Sequence, residues 1–318
     1  MSDSAPKKPQ LVFPTYGVHN PPEYSKCAHP DGVYPRTPDE PSDPQFPPYF
    51  TAKWTMYRVF KNYAGNLPPY DGAPPAPMVE GEDYEVSYGA TYYDSEYVAA
   101  DGTVGAMMEH YEKRSLPILP RSNHYSSSFI SLGNTAYFVT YEEDRPEDLP
   151  PICVFSDLNH APRRDFVKHL PYSKGDSDQL DGKIQGYSLW TSPGGDKPPV
   201  QTGVSPDRTA DQCVMFGYGF HSEATPDCAD KAAAPYRHPQ SFYFSGMPVA
   251  PANAPFVSQH YTEFSMKRPD PAETWDLVEK VSGGKPIPLL NLFTMGGTAN
   301  VMHTAAASWA GPGPQGDA

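Results

Sequence analysis

The chain has 318 residues, of which forty prolines and 25 glycines make up about a fifth, against a usual total of about 12%; this excludes long uninterrupted helices over most of its length. Thirty-eight acidic against 24 basic side chains give a formal charge of −14, and basic residues never run beyond pairs such as Lys7-Lys8 and Arg163-Arg164, so no nucleic-acid partner is expected. No run of 18 apolar residues is present, so no helix is expected to span a membrane.

Leu, Ile, Val and Phe together reach only about 17% of the chain, a level at which disorder is suspected. Aromatic residues, however, reach 13%, with 22 tyrosines. Tyrosine supplies apolar area that the aliphatic count misses, and the composition reads as a folded, Tyr-rich β protein.

Residues 1–49 contain twelve prolines. Each fixes its own φ and pushes the preceding residue towards extended backbone, so a Pro-rich extended arm is expected here. It is either a solvated tail or a strap laid on its own domain or on a protein partner. The first nine residues are polar and lack the apolar stretch of a secretory signal, and the compartment stays unassigned.

A β domain is expected over 50–282. Phe50, Ala52, Trp54 and Met56 alternate with polar residues, as do Tyr84, Val86, Tyr88, Ala90 and Tyr92, and period two is the mark of a half-buried strand. Strands are predicted over 50–60, 84–92, 104–111, 126–132, 136–141, 151–155, 184–191, 213–220, 241–247 and 256–266, with a Pro-rich loop over 67–78. Asp101-Gly102 and Gly133-Asn134 are hairpin turns, which makes their flanking strands antiparallel neighbours. Short helices are predicted over 161–170 and after Asp270-Pro271-Ala272-Glu273, where Asp is the N-cap, Pro the first helical residue and Glu lies three beyond the cap. The second should bury Trp275, Val278 and Val281 and end at Gly283-Gly284. The remaining segment, 283–318, carries amphipathic spacing that suits docking on its own domain or on a partner.

Standard signatures of chemistry are missing. Gly217-Tyr218-Gly219 has no GxGxxG completion, and no P-loop, nucleophile elbow or HExxH occurs. Four cysteines show no zinc spacing, although Cys213 and Cys228 are placed to close a short disulfide loop. No metal and no cofactor are expected. His260 shares strand parity with Phe256 and Phe264, as a packed histidine or as the polar handle of an apolar pocket and a weak catalytic candidate. Tyrosines on a concave face would wall such a pocket, and Trp54, Tyr88, Tyr92 and His260 are the candidate ligand-binding residues; the alternative leaves the tyrosines on the solvent side or under the arm.

Several runs carry a family likeness: Phe50-x-Ala52-x-Trp54, Tyr92-Tyr93-Asp94, Ala136-Tyr137-Phe138, Pro151-Ile152-Cys153, Ala161-Pro162-Arg163-Arg164-Asp165-Phe166, Asp181-Gly182 through Tyr187-Ser188-Leu189-Trp190, and Pro269-Asp270-Pro271-Ala272-Glu273-Thr274-Trp275. In this order they resemble the LolA-like superfamily over about residues 50–280. That group takes in the bacterial lipoprotein carriers, the violacein-biosynthesis protein VioE, and plant and protist members with a Tyr-Tyr-Asp motif. The resemblance implies a mainly β antiparallel half-barrel, with a few short helices, wrapped around a helical or loop plug and enclosing a hydrophobic cavity. Plant-like members tend to carry a cysteine in the strand ending at Trp190, where this chain has Tyr187 and Ser188, so their disulfide is not expected. Function is not fixed by such a fold. The leading expectation is binding or carriage of a hydrophobic small molecule or lipid. The alternatives are a cofactor-independent biosynthetic enzyme of the VioE type, and an accessory subunit that uses its Pro-rich arm.

Overall fold

All ten strands read from the alternation form in the computed structural model, which describes residues 36–59, 69–112, 125–156, 161–191, 213–222, 236–245 and 256–288, apart from 101, 134, 146, 148, 149 and 181. In chain order they are β1 (Tyr49–Val59), β2 (Tyr84–Val98), β3 (Val104–Glu112), β4 (Ser127–Leu132), β5 (Thr135–Thr140), β6 (Ile152–Ser156), β8 (Ile184–Thr191), β9 (Cys213–His221), β10 (Pro239–Ser245) and β11 (Phe256–Ser265), with a two-residue β7 (Tyr172–Ser173) that the sequence reading missed. They form one open antiparallel sheet in the order β6-β5-β4-β3-β2-β1-β11-β10-β9-β8-β7. The first strand thus lies mid-sheet and pairs with the last, while the rest run outward as two meanders. Gly102 and Gly133 turn two of the hairpins with φ of 84° and 60°, values that cost a residue with a Cβ but not glycine.

The sheet is curled, and the ring of Phe46 shows by how much. Its centroid lies 5.3 Å from that of Tyr93 on β2 and 5.8 Å from that of Tyr218 on β9. Four strand spacings separate β2 from β9, about 19 Å on a flat sheet. One phenyl ring touches both only because the sheet closes round it as a half-barrel. Phe46 is fully buried and also meets Phe50, Phe166 and Phe220.

The plug is therefore two loops. One is the end of the arm, residues 36–48, and the other is 161–170, whose predicted helix shrinks to a 3-10 turn at Phe166–His169. They are laced by backbone and guanidinium contacts. Phe46 N donates to Arg164 O at 2.9 Å, Arg164 Nε to Phe46 O at 2.9 Å, and Arg36 to the carbonyls of Val167 and Leu170. Where described, the arm is thus part of its own domain's core; residues 1–35 lie outside the described residues, as does Cys228 of the disulfide considered above.

The convex face carries a second layer. Helix α1 (Lys174–Gln179) packs on β8, which makes room for it at Gly186: a Cβ there would fall 2.5 Å from that of Asp176. Asp176 is fully buried and accepts from the Ser188 and Tyr243 hydroxyls, each at 2.5 Å. At the other end, the predicted helix after Asp270 divides into a 3-10 turn (Pro271–Glu273) and α2 (Leu277–Ser282). Thr274 interrupts it: its hydroxyl donates to Asp270 O at 2.7 Å with its backbone outside the helical region. The expected face is kept, since Trp275 and Val278 pack with Met108, Ile130, Val139 and Ile152, and Gly283 ends α2 in the left-handed conformation. The chain then runs along the sheet edge, where Val154 N on β6 donates to Pro288 O at 2.8 Å.

Candidate functional site

The sheet places the four sequence candidates on two different faces. Trp54 points into the concavity, 1% exposed. Tyr88 and His260 flank Thr55 in register on the convex side, and Tyr88 is 52% exposed. Tyr92, also convex, is half-buried at the floor of a cleft of about 320 Å³ with Lys53, Glu263, Arg268 and Asp270. The four do not form one wall. On β2 the concave residues are Ser87, Gly89, Thr91 and Tyr93, the opposite parity from the tyrosines that alternate most visibly. The reason is Trp54, whose indole lies across Gly89 and donates to Thr91 Oγ1 at 3.1 Å; a larger side chain at 89 would occupy its place.

On β11 a bulge changes the parity. Lys53 pairs with Glu263 but Trp54 pairs with Tyr261, leaving Thr262 as the extra residue. Phe264 therefore turns into the core, its ring stacked 5.0 Å from Phe50, while His260 stays outside. The shared face expected for His260 and Phe264 is thus corrected: one inserted residue flips every side chain beyond it. Burial pushes the His260 pKa below the ordinary histidine value, with Asp71 opposing and His221 adding to it. The imidazole is accordingly neutral at pH 7, with Nε2 3.0 Å from the Gln240 amide.

A different constellation occupies the concave wall. Glu109 on β3 is 6% exposed and accepts from Tyr111 OH at 3.3 Å. Tyr111 stands edge-on to Trp54 at 5.0 Å and to Phe129 at 6.0 Å. From β11, Gln259 and Tyr261 face the same carboxyl, and Tyr218 of β9 closes the group. Gln259 is set against the Glu109 carboxyl and Tyr261 against the Tyr218 and Thr91 hydroxyls, while Ser127 Oγ, beyond Tyr111 in register, is buried without a hydrogen-bond partner. Leaving such a group unmet costs about 1–3 kcal/mol.

Burial raises the Glu109 pKa to about 7, with Tyr111 and Gln259 pulling it partly back. The fold therefore binds a proton that the unfolded chain, with its carboxyl near the ordinary value, has already lost. Stability should fall as pH rises from about 4.5 to 7 and level off beyond. A shift of this size corresponds to about 3 kcal/mol. Urea unfolding of the wild type and Glu109→Gln at pH 5 and pH 8 checks this: the variant should gain on the wild type by up to that amount at the higher pH, and equal differences at both pH values would refute it. The neighbouring Tyr111, Tyr218 and Tyr261 are pushed above the ordinary tyrosine value, again chiefly by burial, and stay protonated donors at neutral pH.

Other singled-out residues prove to be staples. Of the Tyr-Tyr-Asp run, Tyr93 OH donates to Pro162 O at 2.7 Å and holds the inner plug. Buried Asp94 takes two hydrogen bonds from Arg268, at 2.7 and 3.2 Å, and holds the outer segment. Gly217 accommodates the Tyr243 ring, 2.2 Å from where its Cβ would be, which accounts for the Gly-Tyr-Gly run without any nucleotide. Cys153 is buried, and its thiol is pushed up to about 12 by desolvation, so it is no nucleophile. Among the described residues no group of three or more His, Cys, Asp or Glu side chains is placed to hold a metal, and no helix is long and apolar enough to cross a membrane.

Sequence reading passed over Glu109, Gln259 and Tyr261. The signal for Glu109 was present in its parity with Met107 and Tyr111, a carboxylate set among the apolar positions of a strand. Gln259 and Tyr261 gave none, because their role depends on β11 returning beside β1. No protein-family model matches the chain, and no curated protein is significantly similar to it.

Proposed function

We propose that the concave face binds a small hydrophobic molecule or lipid at the wall formed by Trp54, Tyr111, Tyr218 and Tyr261, in the manner of the LolA-like carriers that the sequence resembles. The observation that carries the reading is the buried polar set of Glu109, Gln259, Tyr261 and Ser127 within that aromatic wall. A site that orients an apolar molecule by a few polar contacts has this composition. The open antiparallel sheet supports it. Native mass spectrometry of protein purified without detergent, followed by solvent extraction, should yield a bound apolar species that Trp54→Ala loses. Ligand-free protein from every expression host would remove the reading.

A second reading, a cofactor-independent enzyme of the VioE type, is favoured by Glu109 rather than by His260. A carboxyl that titrates near 7 suits proton transfer at neutral pH, and it lies on the wall where a ligand would sit, whereas His260 lies on the opposite face. The accessory-subunit reading rests on residues 1–35, since 36–48 already belong to the core of this domain.

A further inference from the structure

A cleft of about 300 Å³ lies at the seam where the arm, at Gln45, meets the loop over 161–165 and the paired strands β2 and β3. It is separate from the concave wall, since Trp54, Tyr111, Tyr218 and Tyr261 do not line it. Arg163 and Arg164 do, and each is engaged through Nε. Arg163 Nε is 3.3 Å from Asp165 Oδ1. Arg164 Nε donates to Phe46 O at 2.9 Å, and its guanidinium carbon lies 4.5 Å from the centre of the Tyr236 ring. Among the described residues, the Nη groups of both arginines meet no hydrogen-bond acceptor. Asp165, the carboxylate of the lining, is already met by Lys168 at 2.5 Å as well as by Arg163. The cleft thus carries surplus positive charge in a chain whose formal charge is −14. A guanidinium stacked on a ring and anchored through Nε, with its Nη edge open, is arranged to take a two-oxygen anion.

The opposite side of the lining is apolar. Val104 is 43% exposed, one of the few large apolar side chains left so among the described residues, and Ala161 and Pro162 continue its surface. Gly105 keeps the floor low, because a Cβ there would reach within 3.8 Å of that of Ala161. An inorganic ion would leave this half of the cleft empty. Its volume, at the lower end for ligand pockets, suits a small organic molecule.

We infer that the seam binds a small organic acid, with its carboxylate on the Nη groups of Arg163 and Arg164 and its apolar body on Val104, Ala161 and Pro162. Arg164 also holds the arm through Phe46, so the bound acid joins the plug to the β2–β3 strands. This site does not depend on the concave-face reading and stands or falls without it.

Isothermal titration calorimetry of the full-length protein at pH 7 and low salt tests it with three probes: phenylacetate, 2-phenylethanol and inorganic phosphate. Phenylacetate should bind about tenfold more tightly than either of the others, and its affinity should fall as KCl is added. Arg163→Gln changes an exposed side chain and should bring phenylacetate down to the level of the alcohol. Val104→Asp, also at an exposed position, sets a negative charge against the apolar body and should do the same with both guanidiniums in place; thermal melts within a few degrees of the wild type show that each variant is folded. Equal binding of acid and alcohol would overturn the anion contact. Phosphate bound as tightly as phenylacetate would reduce the cleft to a general anion patch, and overturn the organic acid. Phenylacetate binding that both variants leave unchanged places the acid elsewhere on the molecule, and absence of binding by all three probes removes the site; either result refutes the inference.

Discussion

Phe46→Ala should lower the unfolding free energy by about 3–5 kcal/mol, the range for truncating a buried phenylalanine. The high end is expected because the ring is fully buried and its neighbours come from three sources, β1 and β2, β9, and the loop around Phe166. No single element can move in to fill the void without leaving another. Phe46→Leu keeps much of the volume and should recover at least half the loss. Urea titrations of the three proteins, compared at constant m-value, decide it. A loss below about 1 kcal/mol would mean that the arm is peripheral and the half-barrel core is complete without it.

Gly89→Ala should be nearly as damaging, about 3 kcal/mol, although it adds only a methyl group at an ordinary φ. The new Cβ would lie 2.3 Å from the Trp54 ring and 2.1 Å from the carbonyl oxygen of His110. The second of these atoms is backbone in a paired strand and cannot swing aside. Relief must come from Trp54 and from local separation of β2 and β3, which would break the Trp54 hydrogen bond to Thr91. The near-ultraviolet circular dichroism of the indole should change together with stability, and a variant with native stability and an unaltered spectrum would show that the strands yield more easily than packed strands do.

These two residues also show what the sequence could and could not tell. The alternation around Trp54 and along β2 is strong enough to place both strands, and Gly102 and Gly133 place two of their hairpins. Ten strands were legible because each is a local pattern. The facing of those strands was not, since Gly89 matters only in relation to an indole 35 positions earlier in the chain. Likewise the bulge at Thr262 leaves no mark in a run of alternating residues, yet it separates Phe264 from His260. Helix α1 (Lys-Gly-Asp-Ser-Asp-Gln) has no apolar period to detect; it exists because Ser173 caps it, accepting from Asp176 N at 3.3 Å, and because Gly186 and Tyr243 receive it. The candidate site is hidden for the same reason: Glu109 is visible as a carboxylate on an apolar strand face, but its companions on β11 reach it only through the pairing of the last strand with the first.

The hydrogen bond from Val154 to Pro288 has a meaning for the protein in a crowded solution. An open sheet offers its two outermost strands to any other extended chain, and strand-on-strand growth is how β proteins polymerise. Here one margin is β7, only two residues long. The other is β6, where the chain's own return past α2 has already claimed the Val154 amide through the carbonyl of Pro288, a residue with no N–H of its own to donate. Proline, so abundant in this sequence, acts at that border as a stop to self-association.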